Sequence, residues 1–109
     1  MQNLQYHANF LKIDAEMNNL PQDFRLYQNF PQSFYKVTRL GFDIPKNTRV
    51  KLVIYDIFGR EVIQLVDSEL NPGSYEVKWQ AYKVPAGIYY YKLRAGDFVD
   101  SKKMVLINN

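Results

Sequence analysis

Between Phe24 and Ile107, short runs of alternating apolar and polar residues are separated by Gly and Pro turns about every ten residues. A period of two sends successive side chains to opposite faces, which is the geometry of a strand and not of a helix. Leu40, Phe42 and Ile44 alternate with Arg39, Gly41 and Asp43 until Pro45 ends the run. Val50, Leu52 and Ile54 alternate with Lys51, Val53 and Tyr55, and Asp56-Ile57-Phe58-Gly59 then turns the chain. The Asp56 carboxylate caps that turn, and Gly59 supplies the positive φ required by a type I turn with a bulge. Arg60 to Val66 is the return strand. At Asn71-Pro72-Gly73, Pro72 presets φ and Gly73 tolerates the left-handed region. Tyr75, Val77 and Trp79 then alternate with Glu76 and Lys78. Pro85-Ala86-Gly87 introduces a strand from Ile88 to Leu93, and Ala95-Gly96-Asp97 introduces the last, Ser101–Ile107. A short first strand at Phe24–Tyr27 ends at Phe30-Pro31, and a loop follows from Gln32 to Lys36. About seven short strands and no helix predict an all-β fold, an antiparallel β-sandwich of immunoglobulin-like type. Its expected core is Leu40, Phe42, Val50, Leu52, Ile54, Val77, Trp79, Tyr89 and Leu93.

At 109 residues there is room for one domain. Residues 24–109 are assigned to the sandwich, and residues 1–23 to a linker or the tail of a preceding domain. In that arm Leu4, Tyr6, Ala8 and Phe10 fit a strand, while Phe10, Ile13, Met17 and Leu20 fit a helix, so periodicity leaves both open. Asn18 to Asp23, with Pro21, breaks any regular element. Nine Tyr and seven Phe against one Trp suit a sheet, where flat rings pack across strands. The chain has no cysteine, which excludes a disulfide scaffold and thiolate metal sites. A net charge of +3, with Lys and Arg dispersed among acids, argues against nucleic acid and anionic membranes. No run approaches the ~18 apolar residues of a membrane span, so membrane insertion is not expected. Met1 to Tyr6 lack the basic and apolar regions of a signal peptide, so an export address would lie upstream in a longer parent.

Catalytic chemistry finds no support in the residues. His7 is the one histidine and has no Cys or second His to join it in a metal site or a triad. Asp56, Glu61, Asp67, Glu69, Asp97 and Asp100 are spread thinly, and no pair is specified to face one cleft. No phosphate-binding glycine loop is present, and no enzyme, cofactor or metal is expected. Alternation sends Tyr89, Tyr91 and Leu93 to one face and Ile88, Tyr90 and Lys92 to the other. Tyr90 beside Trp79 or Tyr82 could form an aromatic strip that stacks on sugar rings; cross-strand packing is the competing reading. In the last strand Met104 and Leu106 share a face with Lys102, and Lys103 shares the other with Val105 and Ile107. These lysines either solubilise an edge strand or meet a partner.

Several stretches resemble one known family in order and spacing. Leu20-Pro21, Phe24, Leu26 and Tyr27-Gln28-Asn29-Phe30-Pro31 resemble the opening of the type IX secretion system C-terminal sorting domain, type A. Val50 to Val62, with Asp56 and Gly59 at its turn, is close to that family's central hairpin. Leu65-Val66-Asp67, Pro72-Gly73, Val77-Lys78-Trp79, Ala86-Gly87 through Leu93, and Lys102-Lys103-Met104 complete a likeness that runs over roughly residues 20–107. Where the family continues with Asn-Pro-Phe-Asn-Pro, this chain reads Gln32-Ser33-Phe34-Tyr35-Lys36-Val37-Thr38, keeps only Phe34 and Thr38, and lacks the fixed proline geometry. The immunoglobulin-like domain of the flagellar hook-cap protein shares the central hairpin and the Gly-x-Tyr strand. The opening Leu-Tyr-Gln-Asn-Phe-Pro and a last strand that leaves only Asn108 and Asn109 beyond it favour the sorting domain.

The resemblance implies a non-catalytic address that directs a larger parent protein across the outer membrane of Bacteroidetes-type bacteria. It implies recognition by the secretion machinery and then removal by a sortase-like surface peptidase, with the parent released or held at the cell surface. Recognition is assigned on that basis to Lys102, Lys103, Met104, Val105, Leu106 and Ile107. Asp56, Gly59, Pro72, Gly73 and Gly87 are assigned to structural turns. A carbohydrate-binding accessory domain and a structural spacer or assembly domain are the alternatives.

Overall fold

The computed structural model describes residues 11–14 and 20–107. His7 and the alternation from Leu4 to Phe10 lie outside the described residues. Among the described residues there are nine strands: β1 (Leu11–Asp14), β2 (Arg25–Leu26), β3 (Ser33–Phe34), β4 (Val37–Ile44), β5 (Thr48–Tyr55), β6 (Glu61–Leu70), β7 (Gly73–Gln80), β8 (Gly87–Ala95) and β9 (Phe98–Leu106). They form two sheets, one in the order β1-β7-β4-β2 and the other β3-β9-β8-β5-β6. The all-β sandwich and its core are borne out: all nine expected core residues are buried, together with Leu26, Phe34, Tyr91, Met104 and Leu106.

Long strands form where one face meets the core and the other meets water. Leu40, Phe42 and Ile44 in β4 are fully buried, as are Val50, Leu52 and Ile54 in β5. Trp79 sits between Phe34 and Tyr89, edge-on to both at centroid distances of 5.8 and 5.9 Å. Phe42 and Tyr75, paired across β4 and β7, stack at 5.4 Å. Tyrosines in such a core must place their hydroxyls. Tyr75 donates to the Asn71 carbonyl and Tyr91 to the Tyr27 carbonyl, each at 2.7 Å, and Tyr89 donates to the Pro85 carbonyl. Burial pushes the pKa of all three phenols up.

Several sequence expectations need correction. The loop expected from Gln32 to Lys36 contains β3, and β3 pairs parallel with β9, so the sandwich is not wholly antiparallel. The first strand shrinks to Arg25–Leu26. The return strand runs on past Val66 to Leu70, because the β5–β6 register shifts between Leu52 and Val53 and again between Ile54 and Tyr55. At the first shift Leu65 and Val66 both turn inward, which breaks the alternation where the strand seemed to end. Gly73 is an extended residue that opens β7 opposite Ile44; positive φ occurs instead at Gly59, Gly87 and Gly96. Pro72 stands in the turn before it, and Gly87, at φ +147°, opens β8 opposite Leu106.

The β5–β6 turn is held by one carboxylate. Asp56 Oδ1 accepts from the amides of Phe58 and Arg60, both at 2.9 Å, and Oδ2 accepts from Arg60 Nε at 2.8 Å. Desolvation works against the charge, but the Arg60 and Phe58 hydrogen bonds prevail and hold the carboxyl below its usual pKa. Gly59 has φ +81°, and a Cβ there would meet nothing within 4 Å. The constraint is conformational, not spatial. Gly59→Val is therefore expected to cost at least ~1 kcal/mol, because a β-branched residue is strained in the left-handed region. Thermal melting checks this, and an unchanged Tm would contradict it.

Candidate functional site: the last strand and its clasp

Strand β9 pairs along its whole length with β8, from Phe98 opposite Ala95 to Leu106 opposite Gly87. The pleat divides the tail. Met104 is fully buried and Leu106 nearly so, whereas Lys103 is exposed, and Lys102, Val105 and Ile107 are half-buried. The two lysines thus point to opposite sides of the sheet. Lys102 lies on the inward side, its Nζ 4.0 Å from Asp100 Oδ2, and Lys103 points outward.

The free edge of β9 is held by the segment that opens the sandwich. Val105 N donates to the Gln32 carbonyl at 3.2 Å, and Ile107 N to the Phe34 carbonyl at 2.7 Å. Gln28 Nε2 reaches the Lys103 carbonyl at 2.7 Å and Asn29 Oδ1 at 2.6 Å. Across the same segment Tyr27 N donates to the Gly41 carbonyl, and Phe30 exchanges a pair of backbone bonds with Arg39. Residues 26–34 therefore stitch β4, an inner strand of one sheet, to β9 of the other.

A buried polar knot fixes the shape of this clasp. Asn29 is 2% exposed, and its Nδ2 donates to the carbonyls of Pro31 (2.9 Å) and Gln32 (3.2 Å) and to Thr38 Oγ1 (3.0 Å). Thr38, fully buried, donates in turn to the Pro31 carbonyl at 2.8 Å. Buried amides and hydroxyls persist where such partners exist. Sequence reasoning quoted Gln28, Asn29 and Thr38 within a resemblance and assigned them no role. The available signal was a short amide-rich run beside a proline. Past the clasp, an open groove of about 340 Å³ lined by Tyr35, Lys36, Tyr82, Val84, Leu106 and Ile107 borders the end of β9.

The aromatic strip suggested by the sequence does not form. Trp79 is 2% exposed between the sheets, while Tyr90 lies on the outer face of the five-stranded sheet beside Tyr55 and Lys103. Tyr82 stands apart, exposed after β7. Among the described residues no group of three or more His, Cys, Asp or Glu is placed to hold a metal ion. What remains is a shape: an anchored strand with one lysine outward, locked in register by a pre-formed clasp.

The family model for the secretion system C-terminal sorting domain matches residues 36–108, from β4 through β9. The opening segment lies before the matched residues. No curated protein and no solved structure gives a significant match. Domains of this family mark a larger protein for export to the cell surface or the extracellular space, and they work with the type IX secretion machinery. The chain belongs to the type IX secretion C-terminal sorting domain family and serves as the address by which that machinery exports a larger protein.

Proposed function

We propose that the machinery reads the end of β9, Lys102–Ile107, as presented by the clasp, and that the domain is an address with no catalytic activity of its own. One observation carries this reading. Met104 and Leu106 lock the strand from inside while Lys103, just before them, stands outward, so a partner meets a fixed backbone and a fixed charge. A recognition strand held in this way loses little entropy on binding.

Removal of lysine charge separates recognition from folding. Lys102→Ala with Lys103→Ala is expected to leave stability within about 0.5 kcal/mol, because Lys103 is exposed and the Lys102–Asp100 contact is long, at 4.0 Å, and part-exposed. Export of a reporter fused to residues 20–109, in a host with this secretion system, is expected to fall sharply. Normal export with an intact fold would remove these lysines from the recognition site.

After export, a sortase-like surface peptidase is proposed to detach the domain by cutting between about Asp14 and Phe24, in the linker assigned to residues 1–23. Pro21 and the half-exposed to exposed residues from Leu20 to Asp23 support an extended and accessible stretch there. Mass spectrometry of the exported parent checks the site. A new C-terminus within Val50–Trp79 would overturn it, since β5 and β7 there pair on both sides and β6 pairs along β5.

A further inference from the structure

The fold gathers charges that the sequence scatters. The outward side of β5, β8 and β9 carries Lys51, Lys92, Arg94 and Lys103, with Arg49 beside Lys51, and not one carboxylate. Register makes this one patch: Lys51 lies opposite Arg94, Lys92 is one strand across from Ser101, and Lys103 lies opposite Tyr90. Among the described residues none of Lys51, Lys92, Arg94 and Lys103 has a salt bridge. The acids on this face lie on β6, where Asp67 stands opposite Lys51 and Glu69 opposite Arg49, and Asp67 is taken by Arg49 at 2.8 Å. The outward side of β4 and β7 is balanced instead, with Arg39 and Lys78 against Asp43 and Glu76. The charge asymmetry therefore belongs to one face of the sandwich.

We infer that this basic face docks on an acidic protein surface of the secretion machinery. The inference rests on the sorting role and extends the proposed tail site sideways from Lys103 to Lys92, Arg94 and Lys51. Charge complementarity names the partner's chemistry, and the arrangement favours a protein over a bilayer. The cations rise from a rigid ladder, about 4.8 Å apart between strands, so their pattern has a register that an ordered set of carboxylates can match. Two tyrosines stand among them. Tyr55 carries the Lys92 ammonium 5.4 Å from its ring centroid, and Tyr90 is exposed beside Lys103. Tyrosine and arginine together are typical of protein interfaces.

Lys51→Glu with Arg94→Glu tests the face without touching the tail. Export of the fused reporter is expected to fall at least about fivefold, while Lys78→Glu, on the opposite face, leaves it unchanged. Thermal melting verifies each fold, and the neutral pair Lys92→Gln with Arg94→Gln serves if the reversal unfolds the domain. Purified domain is expected to bind outer-membrane vesicles from secretion-competent cells, and to bind less as salt rises from about 50 to about 300 mM. That binding should be lost when the vesicles are shaved with protease. Equal binding to protein-free vesicles of the extracted lipids would overturn the inference in favour of an anionic lipid. Normal export of both folded variants would also overturn it and leave the tail site standing. A wild-type domain that fails to export the reporter would remove the sorting reading, and this inference with it.

Discussion

Met104→Asp is expected to destabilise the fold severely and to abolish export. Met104 is fully buried in β9 opposite Tyr89, within the apolar core. An unpaired charge there, with the packing it displaces, is expected to cost about 3 to 5 kcal/mol, a large share of the stability of a domain this size. The sign of the pH dependence is a second check. Burial raises the pKa of the new carboxyl above its unfolded value, so the penalty grows as pH rises past about 4 and shrinks where the group is protonated. Melting at about pH 4 and at pH 7 should therefore show the wider gap from wild type at pH 7. Met104→Leu conserves volume and is expected to cost less than about 1.5 kcal/mol, with normal export. Wild-type melting of the aspartate variant would contradict the register of β9.

Asn29→Ala is expected to loosen the clasp. It removes the donor that the Pro31 carbonyl, the Gln32 carbonyl and buried Thr38 Oγ1 share. Leaving buried groups short of a donor costs about 1 to 3 kcal/mol, and the lower half of that range is expected because the Pro31 carbonyl keeps Thr38 and the Gln32 carbonyl keeps Val105 N. Asn29→Asp nearly preserves shape but replaces the donor with oxygen, so it should be no better than alanine. Denaturant unfolding measures the loss. Hydrogen exchange locates it, since the amides of Val105 and Ile107 should lose protection when the strand that caps them is released. A loss below about 0.5 kcal/mol would mean that the knot is incidental.

The contrast between β4 and β3 explains how much of the fold was legible in the sequence. Leu40, Phe42 and Ile44 announce β4 because burial on one face and solvent on the other write a period of two into the residues themselves. Ser33 and Phe34 announce nothing. Their pairing depends on Val105 and Leu106, and two residues are too few to show a period. Strand β6 was half legible for a related reason: the bulge that buries both Leu65 and Val66 interrupts alternation without ending the strand. At the candidate site, alternation assigned Lys102 and Lys103 to opposite faces. The clasp escaped notice because the Gln28–Lys103 bond spans 75 residues and leaves no local trace. The basic face was hidden likewise, since Lys51 and Arg94 become neighbours only through the β5–β8 ladder.

The clasp also sets an order of events during synthesis. Gln28, Gln32 and Phe34 leave the ribosome long before Lys103, Val105 and Ile107, the residues whose backbone they hold. Until β9 emerges, β3 has no strand to join and the core lacks Met104 and Leu106. Contacts this distant in sequence form late, because closing so long a loop costs entropy before any contact repays it. A chain broken off before Phe98 carries every earlier turn and still lacks the strand we propose the machinery reads. The address thereby reports that its own translation has reached the last strand.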